Sequence, residues 1–137
     1  MTDTRKGSCL CGAVTFEADI VALRYLTCHC ATCRRWSGPA MVVDVSDLRI
    51  ADGAPVKAFD SSGYGQRGFC TECGTHLFWK MKDDSMIHLL IGALENSDDL
   101  NFDTQIFIDS KPAHYAFANE TTEMTGAEVF AAATGEG

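Results

Sequence analysis

The chain holds no run approaching the roughly 18 consecutive apolar residues of a membrane span. Its first residues, MTDTRKGSCLCG, carry no apolar stretch of signal-peptide length. Both absences lead to the expectation of a cytoplasmic protein that engages no membrane. Basic residues are also scarce, with eleven Lys and Arg against nineteen Asp and Glu, a net charge of -8 and no basic tail. Such a surface repels a phosphate backbone, so nucleic-acid binding is disfavoured. No internal repeat, linker or low-complexity tract divides the 137 residues. One domain over 1–137 is expected, with 46% hydrophobic and 22% charged residues, ordinary usage for a globular chain able to bury a core.

What the chain has is cysteine in three tight groups: Cys9-x-Cys11, Cys28-x-Cys30-x2-Cys33 and Cys70-x2-Cys73. A disulfide framework fits poorly, because an odd number leaves one thiol over and a reducing compartment keeps thiols free. A thioredoxin-like role for Cys70-Thr-Glu-Cys73 requires that the motif open a helix after a strand. The following Gly74-Thr-His-Leu-Phe-Trp79 looks instead like a turn entering a strand. Metal is the remaining reading. Two pairs on short turns supply the four tetrahedral ligands of a structural zinc, so Cys9, Cys11, Cys70 and Cys73 close one site. Cys28, Cys30 and Cys33 form a second, and three protein ligands leave a fourth position for water or substrate, as in catalytic zinc. Seven thiolates on two dications add about three further negative charges.

Strand patterns dominate elsewhere. Val14, Phe16 and Ala18 alternate with Thr15, Glu17 and Asp19, the period of a strand with one buried face. Residues 76–82 alternate similarly, with Phe78 the exception, and 40–45, 86–91 and 105–108 are short β-rich runs. Breaks fall at Asp52-Gly53, Ser62-Gly63, Gly92 and Lys111-Pro112. Two helices are expected, over 31–36 and 128–133. The expected fold is mainly β, with short antiparallel sheets around a zinc staple that closes a loop of about sixty residues.

Gly7-Ser-Cys-Leu-Cys-Gly-Ala-Val14, Cys28-His-Cys-Ala-Thr-Cys-Arg-Arg-Trp-Ser-Gly38, Ser62-Gly63, Arg67-Gly-Phe-Cys-Thr-Glu-Cys-Gly-Thr75 and Lys111-Pro-Ala-His-Tyr115 together resemble the glutathione-dependent formaldehyde-activating enzymes. The resemblance runs from about residue 5 to residue 118, leaving 119–137 as an extension. It implies a zinc-stapled β-tent, similar in domain to centromere protein V, built from two or three short antiparallel sheets. It also implies the ligand partition just given, with Cys28, Cys30 and Cys33 catalytic. The implied reaction is a carbon-sulfur lyase type, joining glutathione to formaldehyde as S-hydroxymethylglutathione in a detoxifying role. Partners would then be glutathione or another small thiol and a small aldehyde. Gln105 stands where the family often has histidine, and His114 where it often has an aromatic residue. These differences bear on which substrate is taken. A related enzyme on another thiol or aldehyde, and a binding module without catalysis, are the alternatives.

Other residues have readings of their own. Arg34 and Arg35 directly follow Cys33; they are either a solvated pair balancing a negative metal site or a clamp for a glutathione carboxylate. Strand alternation turns His29 away from its flanking cysteines, and His76, His88 and His114 read as satisfied or exposed. Trp36 and Trp79 read as core. Gly12, Gly38 and Gly74 are expected at tight turns around the metal knuckles.

Overall fold

The computed structural model describes residues 2–134, the side chain of Thr134 excepted. Along the chain run β1 (Asp3–Ser8), β2 (Thr15–Ile20), β3 (Arg24–Cys28), α1 (Ala31–Ser37), β4 (Ala40–Ile50), β5 (Val56–Asp60), β6 (Gly65–Cys70), β7 (His76–Met81), β8 (Ile87–Leu90), β9 (Asn101–Ile106), β10 (Thr122–Met124) and α2 (Gly126–Thr134). The expected mainly β fold is borne out. These elements gather into two compact units that interleave in sequence, one from residues before 24 and from 42–100, the other from 24–41 and from 101 onwards.

In the first unit every pairing is antiparallel. The strands follow the order β1, β2, β4, β8, β7, β6, β5. Phe16, Ala18 and Ile20 point inward on β2 while Thr15 and Glu17 face water, as the alternation requires. Val14, Val43, Leu77 and Leu89 lose essentially all contact with solvent, and each such side chain contributes about 1.5–3 kcal/mol by leaving water.

Two cross-strand pairs set an aromatic ring over a glycine. Gly7 lies opposite Phe16 and Gly68 opposite Phe78. A Cβ at Gly7 would strike the Phe16 ring and the Ala93 carbonyl, and one at Gly68 would strike the Phe78 ring. Both positions demand glycine because neighbouring atoms already fill the space.

The β2–β4 pair also carries a charge lock. Asp19 accepts two hydrogen bonds from the Arg49 guanidinium, at 2.9 and 3.0 Å, and a third from the Thr4 hydroxyl. Arg49 first, then Thr4, hold the carboxyl at about 2, below the ordinary aspartate value. The folded pKa lies below the unfolded one, so this stabilisation is fully present above about pH 4 and is lost as pH falls towards 2. Thermal melts at pH 5 and pH 2.5 should therefore show a smaller acid-induced loss for Asp19→Asn than for the parent chain.

The second unit departs from the expected antiparallel pattern. Strand β9 pairs in parallel with both β3 and β10, because its partners reach it through long crossovers rather than tight turns. The run expected over 105–108 is the end of β9. It stops at Ile106 because Phe107 takes a left-handed conformation, φ 55°, and a single 3-10 turn, Ile108–Ser110, follows. Phe102 stacks on Tyr25 and meets Phe117 edge-on, both at 5.2 Å between centroids. Helices α1 and α2 sit over the two segments expected to be helical.

Candidate functional site

The four-cysteine cluster assembles within the first unit from two turns of like design. In one, the Cys9 N–H donates to the Val14 carbonyl, the Val14 N–H donates to Cys9 Sγ at 3.3 Å, and Gly12 turns the chain at φ 80°. In the other, Cys70 Sγ accepts from the N–H groups of Glu72 and Cys73, and Gly74 turns the chain at φ 79°. Positive φ is reached cheaply by glycine alone, and it lets each turn fold its N–H groups back on sulfur. Gly38, just past α1, has the same sign of φ.

Thr75 links the two turns. Its hydroxyl accepts from the Leu10 N–H at 3.0 Å and lies 3.1 Å from Cys73 Sγ, so its one proton serves the Cys73 sulfur. That hydroxyl, followed by the Thr75 backbone, holds the Cys73 thiol down to about 5, which makes it a ready thiolate ligand. Cys9 and Cys11 lie 3.6 Å apart through sulfur, and Cys11 and Cys70 3.9 Å. A tetrahedron of sulfurs about 2.3 Å from zinc has edges of about 3.8 Å. The donor set fits the metal.

Cys28, Cys30 and Cys33 gather in the second unit, their sulfurs all within 4.8 Å of one another. Cys28 ends β3, and Cys30 caps α1, its sulfur accepting from the Cys33 N–H at 3.3 Å. Cys30 and Cys33, then burial, drive the Cys28 thiol far above its ordinary range. Three sulfurs this close cannot all carry charge without a cation among them. Both clusters could bind zinc, one offering four sulfurs and the other three.

The loop carrying the three cysteines is held by a buried polar chain. His29 is wholly inaccessible to solvent. Its Nε2 lies 2.8 Å from Gln105 Oε1 and its Nδ1 2.7 Å from the Tyr115 hydroxyl. With Nε2–H donating to Gln105, Nδ1 accepts from Tyr115. The Gln105 amide also donates to the Thr121 hydroxyl at 2.9 Å. Arg34 turns back to donate Nε–H to the His29 carbonyl at 2.9 Å. Burial raises the Tyr115 hydroxyl's pKa, the Arg34 charge opposes this, and Cys28 adds to it.

Within the second unit the structure brings Arg34 to the three-cysteine loop and leaves Arg35 exposed. Among the remaining histidines, His88 pairs with Asp44 at 2.8 Å, His114 is exposed, and His76 is half-buried. Trp36 and Trp79 are half-buried. Tyr115, Thr121 and Thr75 were not visible as site residues in the sequence. Only the Lys111-Pro-Ala-His-Tyr115 motif pointed towards the first.

Fold and clusters define a class: a small, mainly β protein organised around two thiol groups of metal-binding geometry. Residues 4–110 match the family described as glutathione-dependent formaldehyde-activating enzyme, and the chain belongs to it. The chain is 34% identical over 127 residues to an uncharacterized lyase of Schizosaccharomyces pombe, covering 90% of this chain and 93% of that protein. A crystal structure of a Rhodobacter sphaeroides protein is similar at TM-score 0.58 and 24% identity, over 71% of this chain and 98% of that one, a likeness of fold. Among the described residues no helix is long and apolar enough to cross a membrane.

Proposed function

We propose that this chain is a carbon-sulfur lyase of the S-(hydroxymethyl)glutathione synthase type, joining glutathione to formaldehyde at the three-cysteine cluster and so removing formaldehyde in the cytoplasm. Membership of the family and the lyase name of the fission-yeast relative support the class. The observation that carries the reading is the contrast between clusters: four sulfurs in one and three in the other. A four-ligand zinc is closed, whereas a three-ligand zinc keeps a place for an exogenous thiol. In this reading Cys9, Cys11, Cys70 and Cys73 hold a structural zinc and Cys28, Cys30 and Cys33 a catalytic one. When bound, the second zinc supplies positive charge that lowers the pKa of a thiol beside it.

The chain's residues do the rest. Cys28 and Cys30 are held in place by the His29 anchors, and Cys33 by α1. The thiol sulfur forms a bond to the aldehyde carbon, and the proton it gives up ends on the new hydroxyl. Because the addition is easy in water, holding the two partners together is the chief task of the site.

Arg35, exposed beside the cluster, and Arg34 are proposed to receive a glutathione carboxylate, offsetting a chain of net charge -8. Arg34 already gives one N–H to the metal loop, so Arg35→Ala is the cleaner test. It should raise the glutathione KM about tenfold, the effect of about 1.4 kcal/mol, with zinc content unchanged.

Exchange spectroscopy on glutathione and 13C-formaldehyde tests the activity. Zinc-loaded protein should speed adduct formation beyond the spontaneous rate and Cys30→Ser should not. No acceleration by the parent chain would leave a binding module. A second reading, another thiol or aldehyde at the same cluster, is favoured by Gln105, which is buried against His29. Faster turnover with a different thiol would establish it.

A further inference from the structure

His29 sits between Cys28 and Cys30, yet most of what holds it lies far along the chain, in β9 and the segment that follows. We infer that Thr121 is a positioning residue for the three-cysteine loop: it closes the hydrogen-bond chain that fixes His29, and so sets how firmly Cys28 and Cys30 keep a metal. The inference rests on the reading of that cluster as a zinc site and is independent of which thiol or aldehyde is used there.

The backbone is pinned first. The His29 N–H donates to the Ile106 carbonyl at 3.1 Å, and the His29 carbonyl accepts from Arg34 Nε–H at 2.9 Å. Ile106 in turn is held by Phe107, whose left-handed conformation, φ 55°, is rare for a bulky residue. The Phe107 ring is confined. A Cβ on Gly126 would lie 2.9 Å from it, and Phe130 meets it edge-on at 5.9 Å between centroids. With the main chain held on both sides, the imidazole is the part still to be fixed.

The ring is fixed by a chain that runs one way. Tyr115 O–H donates to Nδ1, Nε2–H donates to Gln105 Oε1, and the Gln105 amide N–H donates to the Thr121 hydroxyl. His29 is 0% and Gln105 4% exposed, so water offers neither a replacement partner. Thr121 is the acceptor that ends the chain. With valine there, the amide cannot satisfy both of its ends. Keeping oxygen on His29 strands the nitrogen, whereas turning nitrogen to His29 strands the oxygen and makes Tyr115 accept. A buried polar group left in this way bears its full desolvation penalty. The amide and ring then shift, and the flanking sulfurs lose their aim. Groups that orient a metal's ligands without touching the metal change its affinity by about ten- to a hundredfold.

The test follows zinc loss to a chelating dye from the parent chain, Thr121→Val and Thr121→Ser. The phase missing from Cys30→Ser belongs to the three-cysteine cluster. That phase should be about tenfold faster in Thr121→Val and within twofold of the parent in Thr121→Ser, which keeps the hydroxyl. Loss from the four-cysteine cluster should not change. Nitrogen-15 spectra of the His29 ring should show only Nε2 protonated in the parent and both tautomers in Thr121→Val. Equal acceleration at both clusters marks a general loosening and overturns the inference, as does no change at either. A parent chain whose zinc loss has no phase that depends on Cys30 overturns the zinc reading itself, and the inference falls with it.

Discussion

Cys70→Ser is expected to yield a chain that fails to fold, or melts far below the parent, whereas Cys30→Ser should fold and melt close to it. Binding of a structural zinc by four ligands is worth about 10–16 kcal/mol in small zinc domains, as much as the whole stability of an ordinary domain, about 5–15 kcal/mol. Cys70 is wholly buried and its sulfur accepts two N–H groups of its own turn, so its loss removes a ligand and unsettles the turn. Cys30 occupies a different position. It is half-exposed and caps α1 through its side chain, and serine is among the preferred residues at such a cap. The helix start therefore survives while one of three ligands is lost. Circular dichroism melts and zinc content per chain check the pair. Comparable damage from both substitutions would contradict the division of the cysteines into structural and catalytic sets.

The second large effect is expected at Gly7. A methyl group there meets the Ala93 carbonyl, which is backbone and cannot rotate aside, as well as the Phe16 ring. Overpacking of this kind costs typically 1–3 kcal/mol, and the backbone partner places Gly7→Ala at the upper end, about 3 kcal/mol. For a chain of this size that corresponds to a fall of about 10 °C in Tm. Gly68→Ala should cost less, because the nearest atoms it meets belong to the Phe78 ring rather than to backbone. A Gly7→Ala melt within a degree or two of the parent would show that β1 moves freely away from Phe16.

The cysteine groups and the better strands were legible because their signals are local. Spacing of cysteines along a turn fixes which sulfurs share that turn, and alternation over β2 fixes which face is buried. Several strands escaped for identifiable reasons. β1 reads Asp-Thr-Arg-Lys-Gly-Ser and offers no apolar face, since its place is secured by pairing with β2. β6 contains two glycines, which look like turns until Phe78 and Trp79 are seen to close over them. β3 and β10 are short and acquire meaning only through β9. The His29 chain was hidden for a similar reason. Its members lie at 29, 105, 115 and 121, and no periodicity links residues brought together by parallel strands.

The parallel pairing of β3 with β9 has a consequence for biosynthesis. A chain made from its N-terminus releases Cys9 and Cys11 early, yet their partners emerge only after roughly sixty more residues, so the first pair waits as two reactive thiols. When residue 73 appears, the staple can close. The Cys28 to Cys33 segment waits longer, because β9, Tyr115 and Thr121, which brace it, are still being synthesised. With zinc bound at the four cysteines, that cluster could thus close before the Cys28 to Cys33 segment meets Tyr115 and Thr121. A product truncated before residue 101 would lack β9, Tyr115 and Thr121, and with them the hydrogen bonds that brace the Cys28 to Cys33 segment.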